Sequence, residues 1–189
     1  MGVVSMSLHI DRRDGLVTLP NGFVIGPHLS QDEFCSSEWF AGATMRDVGT
    51  CPFIHYQFSC GDVEGKPLLT NLCFYDQMLL SIDLEADLYP AGAKDWSDYS
   101  LEVEAATKRF HDDLLRRMLG EPASYGMASN SQRKPSQAIL DAPYTWSFPW
   151  GNVGSYHDQK GGGTFIKISY GNREEEASKA YRARKAGAA

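Results

Sequence analysis

The chain has 189 residues, of which 42% are apolar and 22% charged, and its net charge is −6. That is ordinary globular usage, and it excludes a wholly disordered, collagen-like or membrane-spanning chain. Without a compensating basic patch, the acidic balance also disfavours nucleic acid and anionic membrane surfaces as partners.

The first residues, Met1 to Gly15, contain neither a basic leader nor a long apolar run, so no signal peptide is expected. Cys35, Cys51, Cys60 and Cys73 form no CxxC pair, which points to reduced thiols and a cytoplasmic location. Between Gly15 and Gly26, two β-rich runs flank Pro20-Asn21-Gly22 and predict a tight hairpin. Ser30 precedes Glu33 by three residues, a capping-box spacing. It predicts a short N-terminal helix that buries Phe34 and ends before Gly42.

Residues 53–86 read as a meander of three strands: Phe53 to Phe58, Leu68 to Tyr75 and Met78 to Ala86. In the third strand Leu80, Ile82, Leu84 and Ala86 share one face, while Ser81, Asp83, Glu85 and then Asp87 share the other. One buried and one wet face suit antiparallel pairing.

Trp96 to Gly120 predicts a long helix, with Ser97 or Ser100 as its N-cap and Gly120 and Pro122 ending it. Val103, Ala106, Phe110, Leu114 and Met118 form its apolar stripe. Glu104–Lys108, Asp112–Arg116 and Asp113–Arg117 are its i, i+4 ion pairs. Residues 121–142 read as a polar loop, followed by an alternating run from Tyr144 to Trp150. Strands at Asn152–Tyr156 and Thr164–Tyr170 then flank a glycine-rich turn, Asp158 to Gly163. Residues 172–189 carry no apolar stripe and are expected as an exposed or disordered tail behind a single domain, 1–171. The expected fold is α+β, with a hairpin-rich antiparallel sheet packed on one long amphipathic helix.

The residues point to no reaction. The five histidines make no HxxxH or HExxH pair, so neither a metal site nor another cofactor is expected. Gly61 to Gly65 with Lys66 and Pro67 is one residue short of a phosphate loop, and Gly161-Gly162-Gly163 leads into a strand rather than a helix. Cys60 and Cys73 flank a predicted hairpin and are candidates to approach each other across it. No catalytic group is assigned, and the reading leans away from an enzyme.

The distinctive feature is charge. Residues 76–113 carry ten acidic and three basic groups. Asp83, Glu85 and Asp87 lie on one strand face, and the run continues through Asp95, Asp98, Glu102 and Glu104 with Trp96 and Tyr99 interleaved. The bland reading is a solvated strand face. The sharper reading makes Asp83, Glu85, Asp87, Trp96, Asp98, Tyr99 and Glu102 a surface that clamps a basic protein, because crowded like charges favour a partner that neutralises them. A second reading is a small-ligand module or enzyme with a pocket between sheet and helix. Tyr144, Trp146 and Trp150 would line it, and His157 or Asp158 would be its polar group. A third is a homodimer paired along the meander edge.

Three stretches carry a resemblance: Trp96-Ser97-Asp98-Tyr99-Ser100, the helix end Leu119-Gly120-Glu121-Pro122, and Phe148-Pro149-Trp150-Gly151-Asn152-Val153-Gly154-Ser155 with Asp158 and Lys160-Gly161. Over about residues 15–170 the chain resembles small cytosolic bacterial proteins that include immunity partners of contact-delivered toxins, such as type VI secretion effectors. The resemblance implies stoichiometric inhibition of a cognate toxin by binding, with no catalytic residues.

Overall fold

The computed structural model describes residues 7–46, 52–89, 96–125 and 134–187. Its centre is the meander of β5 (Ile54–Val63), β6 (Lys66–Tyr75) and β7 (Met78–Ala86). Both connecting turns place two consecutive residues at positive φ, Glu64-Gly65 and Asp76-Gln77. That geometry matches the twist of a two-residue hairpin. Gln77 is not glycine, and its side chain is held from outside. Its Oε1 accepts from Asp32 N (2.9 Å) and its Nε2 donates to Asp32 Oδ1 (3.1 Å).

The meander is extended on both sides into an antiparallel eight-stranded sheet. β4 (Thr44–Arg46) pairs with β5 at one edge. On the other side β7 pairs with β11 (Thr164–Tyr170), followed by β10 (Gly151–His157), β9 (Tyr144–Phe148) and β8 (Ser124–Tyr125). The β7–β11 register sets Ile82 opposite Ile168 and Leu84 opposite Ile166, so the alternation read in β7 continues across the sheet. A smaller sheet holds β1 (His9–Ile10), β2 (Val17–Thr18) and β3 (Val24–Ile25). Asn21 Oδ1 accepts from Phe23 N (3.1 Å) in the turn between β2 and β3, as the Pro-Asn-Gly signal requires. The architecture is α+β with antiparallel sheets.

Four helices are present among the described residues: α1 (Gln31–Cys35), α2 (Leu101–Leu119), α3 (Pro135–Leu140) and α4 (Arg173–Gly187). Single 3-10 turns occupy Glu38–Gly42 and Trp96–Asp98. Ser30 caps α1 reciprocally with Glu33, and Ser100 rather than Ser97 caps α2, accepting from Val103 N. α3 lies inside the segment expected to be a polar loop, and Pro at its first turn starts it; Asn130, Ser131 and Gln132 of that loop lie outside the described residues. Residues 173–187 are helical and largely exposed, but Ala177 is buried against Cys73, Tyr75 and Leu80, and Tyr181 packs on Phe53. A single small residue suffices for this contact, which is why no apolar stripe marks it.

The main core lies on one face of the large sheet. Tyr56, Phe58, Leu72, Phe74, Ile82, Leu84, Ile166 and Ile168 pack there against Phe34, the small sheet, and Leu114, Leu115 and Leu119 of α2. α4 covers part of the opposite face. A bulge between Cys73 and Phe74 moves Leu80 to that opposite face, away from Ile82, Leu84 and Ala86. Cys60 and Cys73 belong to different clusters, so the expected approach across the hairpin does not occur.

The orientation of α2 differs from expectation. Of the stripe Val103, Ala106, Phe110, Leu114 and Met118, only Leu114 is buried. The buried side carries Ala105, Leu114, Leu115 and Leu119 together with Glu104, Thr107, Lys108, His111 and Asp112. None of the three expected ion pairs forms. Glu104 bonds Tyr89 and Thr164, Lys108 pairs with Asp112, Arg116 lies 3.9 Å from both Asp113 and Glu121, and Arg117 pairs with Glu64. The sheet presents polar groups to this side of the helix: Thr164 Oγ1 donates to Glu104 Oε2 (2.6 Å) and Ala86 N donates to His111 Nε2 (3.1 Å), and satisfying them favours the inward turn of this side.

Candidate functional site

At Ala86 the β7 strand leaves the sheet. Asp87 N donates to Pro67 O (2.9 Å), and Asp87 Oδ1 accepts from Tyr89 N (2.9 Å), a side-chain turn that folds the chain back towards α2. Tyr89 then donates its hydroxyl to Glu104 Oε1 at 2.7 Å. Thr164 Oγ1, at the start of β11, donates to Glu104 Oε2 at 2.6 Å. His157 Nδ1 lies 3.1 Å from Thr164 Oγ1 and 3.9 Å from Glu104 Oε2. Three separate elements thus fix one buried carboxylate in the first turn of α2.

Above Glu104 opens a cavity of about 780 Å3. Glu85, Asp87, Asp98 and Glu104 line it with Tyr89 and Tyr99, and Pro67, Leu68 and Leu69 supply apolar wall. Gly161, Gly162 and Gly163 form a wall without side chains. The turn that carries them is held by Asp158, whose carbonyl accepts from Gly162 N (2.7 Å) and whose Oδ1 accepts from Lys160 N (2.9 Å). No lysine or arginine is among the described residues that line the cavity.

The electrostatics follow from that composition. Burial, reinforced by the neighbouring carboxylates of Glu104, Asp87 and Asp83 and opposed by Arg46, pushes the Glu85 carboxyl up to about 6. Burial and the bond to Glu104 push the Tyr89 hydroxyl up to about 12. Tyr99 moves upward for the same two reasons, burial and the Glu104 charge. The site is arranged to accept hydrogen bonds and positive charge.

Of the residues singled out in the acidic run, Glu85, Asp87, Asp98 and Tyr99 converge on this cavity. Asp83 does not. It sits half-buried on the sheet face beside Lys167, its cross-strand neighbour, and accepts from Asn71 Nδ2 at 3.1 Å. Burial raises its carboxyl, against the pull of Lys167. Glu102 is exposed and accepts from Ser100 Oγ (3.2 Å) at the helix cap. The side chain of Trp96, like Asp95, lies outside the described residues. From the sequence, Glu104 is read as the end of the charge run and as the ion-pair partner of Lys108, and Tyr89 is not singled out. The one local signal for Tyr89 was an aspartate two residues ahead of it.

None of the residues of the second expected pocket, Tyr144, Trp146, Trp150, His157 and Asp158, lines this cavity. Trp146 is buried and donates to Gly120 O (2.9 Å), anchoring the end of α2. Trp150 stacks on Phe148 and donates to Arg12 O (3.1 Å), tying β9 to the N-terminal segment. Tyr144 stacks on Trp146 beneath Lys108 and Arg116. His157 faces Thr164 and Glu104 under the helix, and Asp158 is spent on its turn. Alternating aromatics on a strand serve packing here.

Other chemistry finds little support. Burial pushes the thiols of Cys60 and Cys73 up to about 11 and about 12, which keeps them protonated at neutral pH. Among the described residues, no group of three or more His, Cys, Asp or Glu side chains is placed to hold a metal ion. No helix among them is long and apolar enough to cross a membrane. Compared with known protein families, curated proteins and solved structures, the chain matches none.

Proposed function

We propose that this chain is a non-enzymatic binding protein of the immunity type, a cytoplasmic bacterial inhibitor that masks a basic toxin or effector with an acidic, tyrosine-bearing surface. The observation that carries this reading is the convergence of Glu85, Asp87, Asp98 and Tyr99 on one cavity, with Glu104 at its floor. Charges that were merely solvating a strand face would have no reason to meet across β7, the turn after it and the start of α2. In this reading the scaffold is an antiparallel sheet backed by one long amphipathic helix, α2, with the short α1 ahead of it. The tyrosines provide desolvated contact area, and the carboxylates set approach rate and partner choice.

The test compares the tagged wild-type chain with a Glu85→Lys/Asp87→Lys variant as baits in lysate of the source cell, followed by kinetics on the purified pair. A basic protein retained by the wild type and lost by the variant, with association slowing steeply as salt rises, supports the reading. Equal retention by both baits, or association indifferent to salt, overturns it.

A second reading, a module for a small organic cation, is favoured by one feature. A volume of about 780 Å3 falls within the range of small-molecule sites.

A further inference from the structure

Glu104 is the unexplained member of the cavity. Its side chain is only 6% exposed, and no lysine or arginine pairs with it among the described residues. Its two oxygens are held by the hydroxyls of Tyr89 and Thr164 instead. A buried carboxylate held by two hydroxyls, with the His157 imidazole 3.9 Å from one of its oxygens, is stabilised further when positive charge is brought to it. The opening beside it is lined by further carboxylates and, among the described residues, by no lysine or arginine.

Resting on the reading of the chain as a binder of a basic protein, we propose that the cavity is a socket for one arginine side chain of that partner. The guanidinium lies among Glu85, Asp87 and Glu104, and the apolar stem lies along Pro67 and Leu69, the cross-strand neighbour of Glu85. Arginine fits better than lysine. The acceptors sit on three different elements, which suits a planar fork of five donors, whereas an ammonium offers three from a point. Tyr89 and Tyr99 add ring surface on which a guanidinium stacks more readily than an ammonium. The volume exceeds that of one side chain, so the residue enters on a loop whose flanking backbone fills the mouth. Burial among like charges raises the Glu85 carboxyl, so an arriving cation pulls it back down and releases a proton near pH 6.

The structure also supplies a way to close the socket without altering its charge. A Cβ built at Gly163 would have open space except for Glu85 Oε1 at 4.0 Å. Gly163 is not among the glycines held at positive φ. A Gly163→Leu side chain therefore projects into the cavity at little backbone cost.

The experiment titrates N-acetyl-arginine methylamide, its lysine counterpart and agmatine into the full-length protein. Amide NMR shifts report the site, and calorimetry at pH 6 in two buffers of different ionisation enthalpy reports the proton. The expected result is that the capped arginine shifts amides around residues 85–89 and 161–163 and releases a fraction of a proton. The lysine probe should bind about tenfold more weakly or less, and both Gly163→Leu and Glu85→Gln should abolish the arginine response, the first while melting as the wild type does and the second while melting no lower than the wild type. No response to the arginine probe, an equal response to lysine, or an unchanged response in a folded Gly163→Leu variant overturns the socket. Agmatine binding at least about tenfold tighter than the capped residue assigns the cavity to a free guanidino compound and overturns it as well. A captured partner that still binds Gly163→Leu in a salt-sensitive manner sinks the socket but leaves the partner reading standing. Salt-indifferent binding defeats the partner reading itself.

Discussion

Lys108 Nζ donates to both carboxylate oxygens of Asp112, at 2.6 and 2.8 Å, on the side of α2 that lies against the sheet. The two side chains are 0% and 8% exposed, and the ammonium also lies 4.7 Å from the centre of the Tyr144 ring. Burial lowers the Lys108 pKa and raises that of Asp112, and in each case the partner's charge opposes the shift. A pair so enclosed is stabilising only while complete. Removing one member with Lys108→Met or Asp112→Ala should cost about 3–5 kcal/mol, because the other charge is stranded. The Lys108→Met/Asp112→Leu double variant should be less destabilised than either single change. Urea denaturation of the three variants measures this, and a double variant worse than both singles would contradict it.

His111 should govern the acid limb of stability. Its Nε2 accepts from Ala86 N (3.1 Å), and burial, with the Lys108 charge, pushes its pKa down from 6.5 to about 3. Between those values the unfolded chain binds a proton that the folded chain refuses. The contribution of His111 is therefore intact above pH 6.5 and is lost progressively as pH falls towards 3. Unfolding free energies measured from pH 3 to 7 should rise with pH. The slope should fall by up to about one proton in His111→Gln, which keeps an acceptor for Ala86 N.

Glu85 should show the opposite sign. Its carboxyl is raised from 4.5 to about 6, so the folded chain holds the proton more tightly than the unfolded chain. Ionisation therefore weakens the fold as pH rises from 4.5 to 6, and the deficit persists above that. Glu85→Gln should be more stable than the wild type at pH 7, with the difference disappearing below about pH 4.5. The same substitution should abolish the arginine response. A stability gain coupled to lost binding is the expected signature of a residue kept for function. Thermal melts at the two pH values test the first half.

Gly151 opens β10, facing Phe148 on β9 and Tyr170 on β11. A Cβ at this position would stand 2.0 Å from Ser169 O, and φ is 157°. The atom in the way is backbone inside a paired strand, so nothing flexible can yield. Gly151→Ala should cost about 1–3 kcal/mol or more and lower the melting temperature. Gly42→Ala, where a Cβ would meet nothing within 4 Å, serves as the control and should be close to neutral.

Much of the fold is legible from local signals because the forces involved are local. Positive-φ turns, side-chain caps and period-two alternation act within a few residues, so Met78–Ala86 and Thr164–Tyr170 can be read from the chain directly. The candidate site is legible only in part. Asp83 and Glu85 share a strand face, yet Asp83 lies opposite Lys167, whereas Glu85 lies past the last observed β7–β11 pair, Leu84 with Ile166, where the sheet opens into the cavity. Nothing in the spacing of the two acids distinguishes these fates. Glu104 and Thr164, sixty positions apart, meet only because α2 crosses β11.

The amino-acid order on its own determined the antiparallel α+β character, the main turns and a concentration of acidic groups in the middle of the chain. Those properties depend on neighbours in sequence. Which side of α2 turns inward, which carboxylates gather and which lysine lies across the strand from Asp83 were decided only by packing. A helix has several sides it could bury, and the choice between them depends on the polar groups that distant strands bring beneath it.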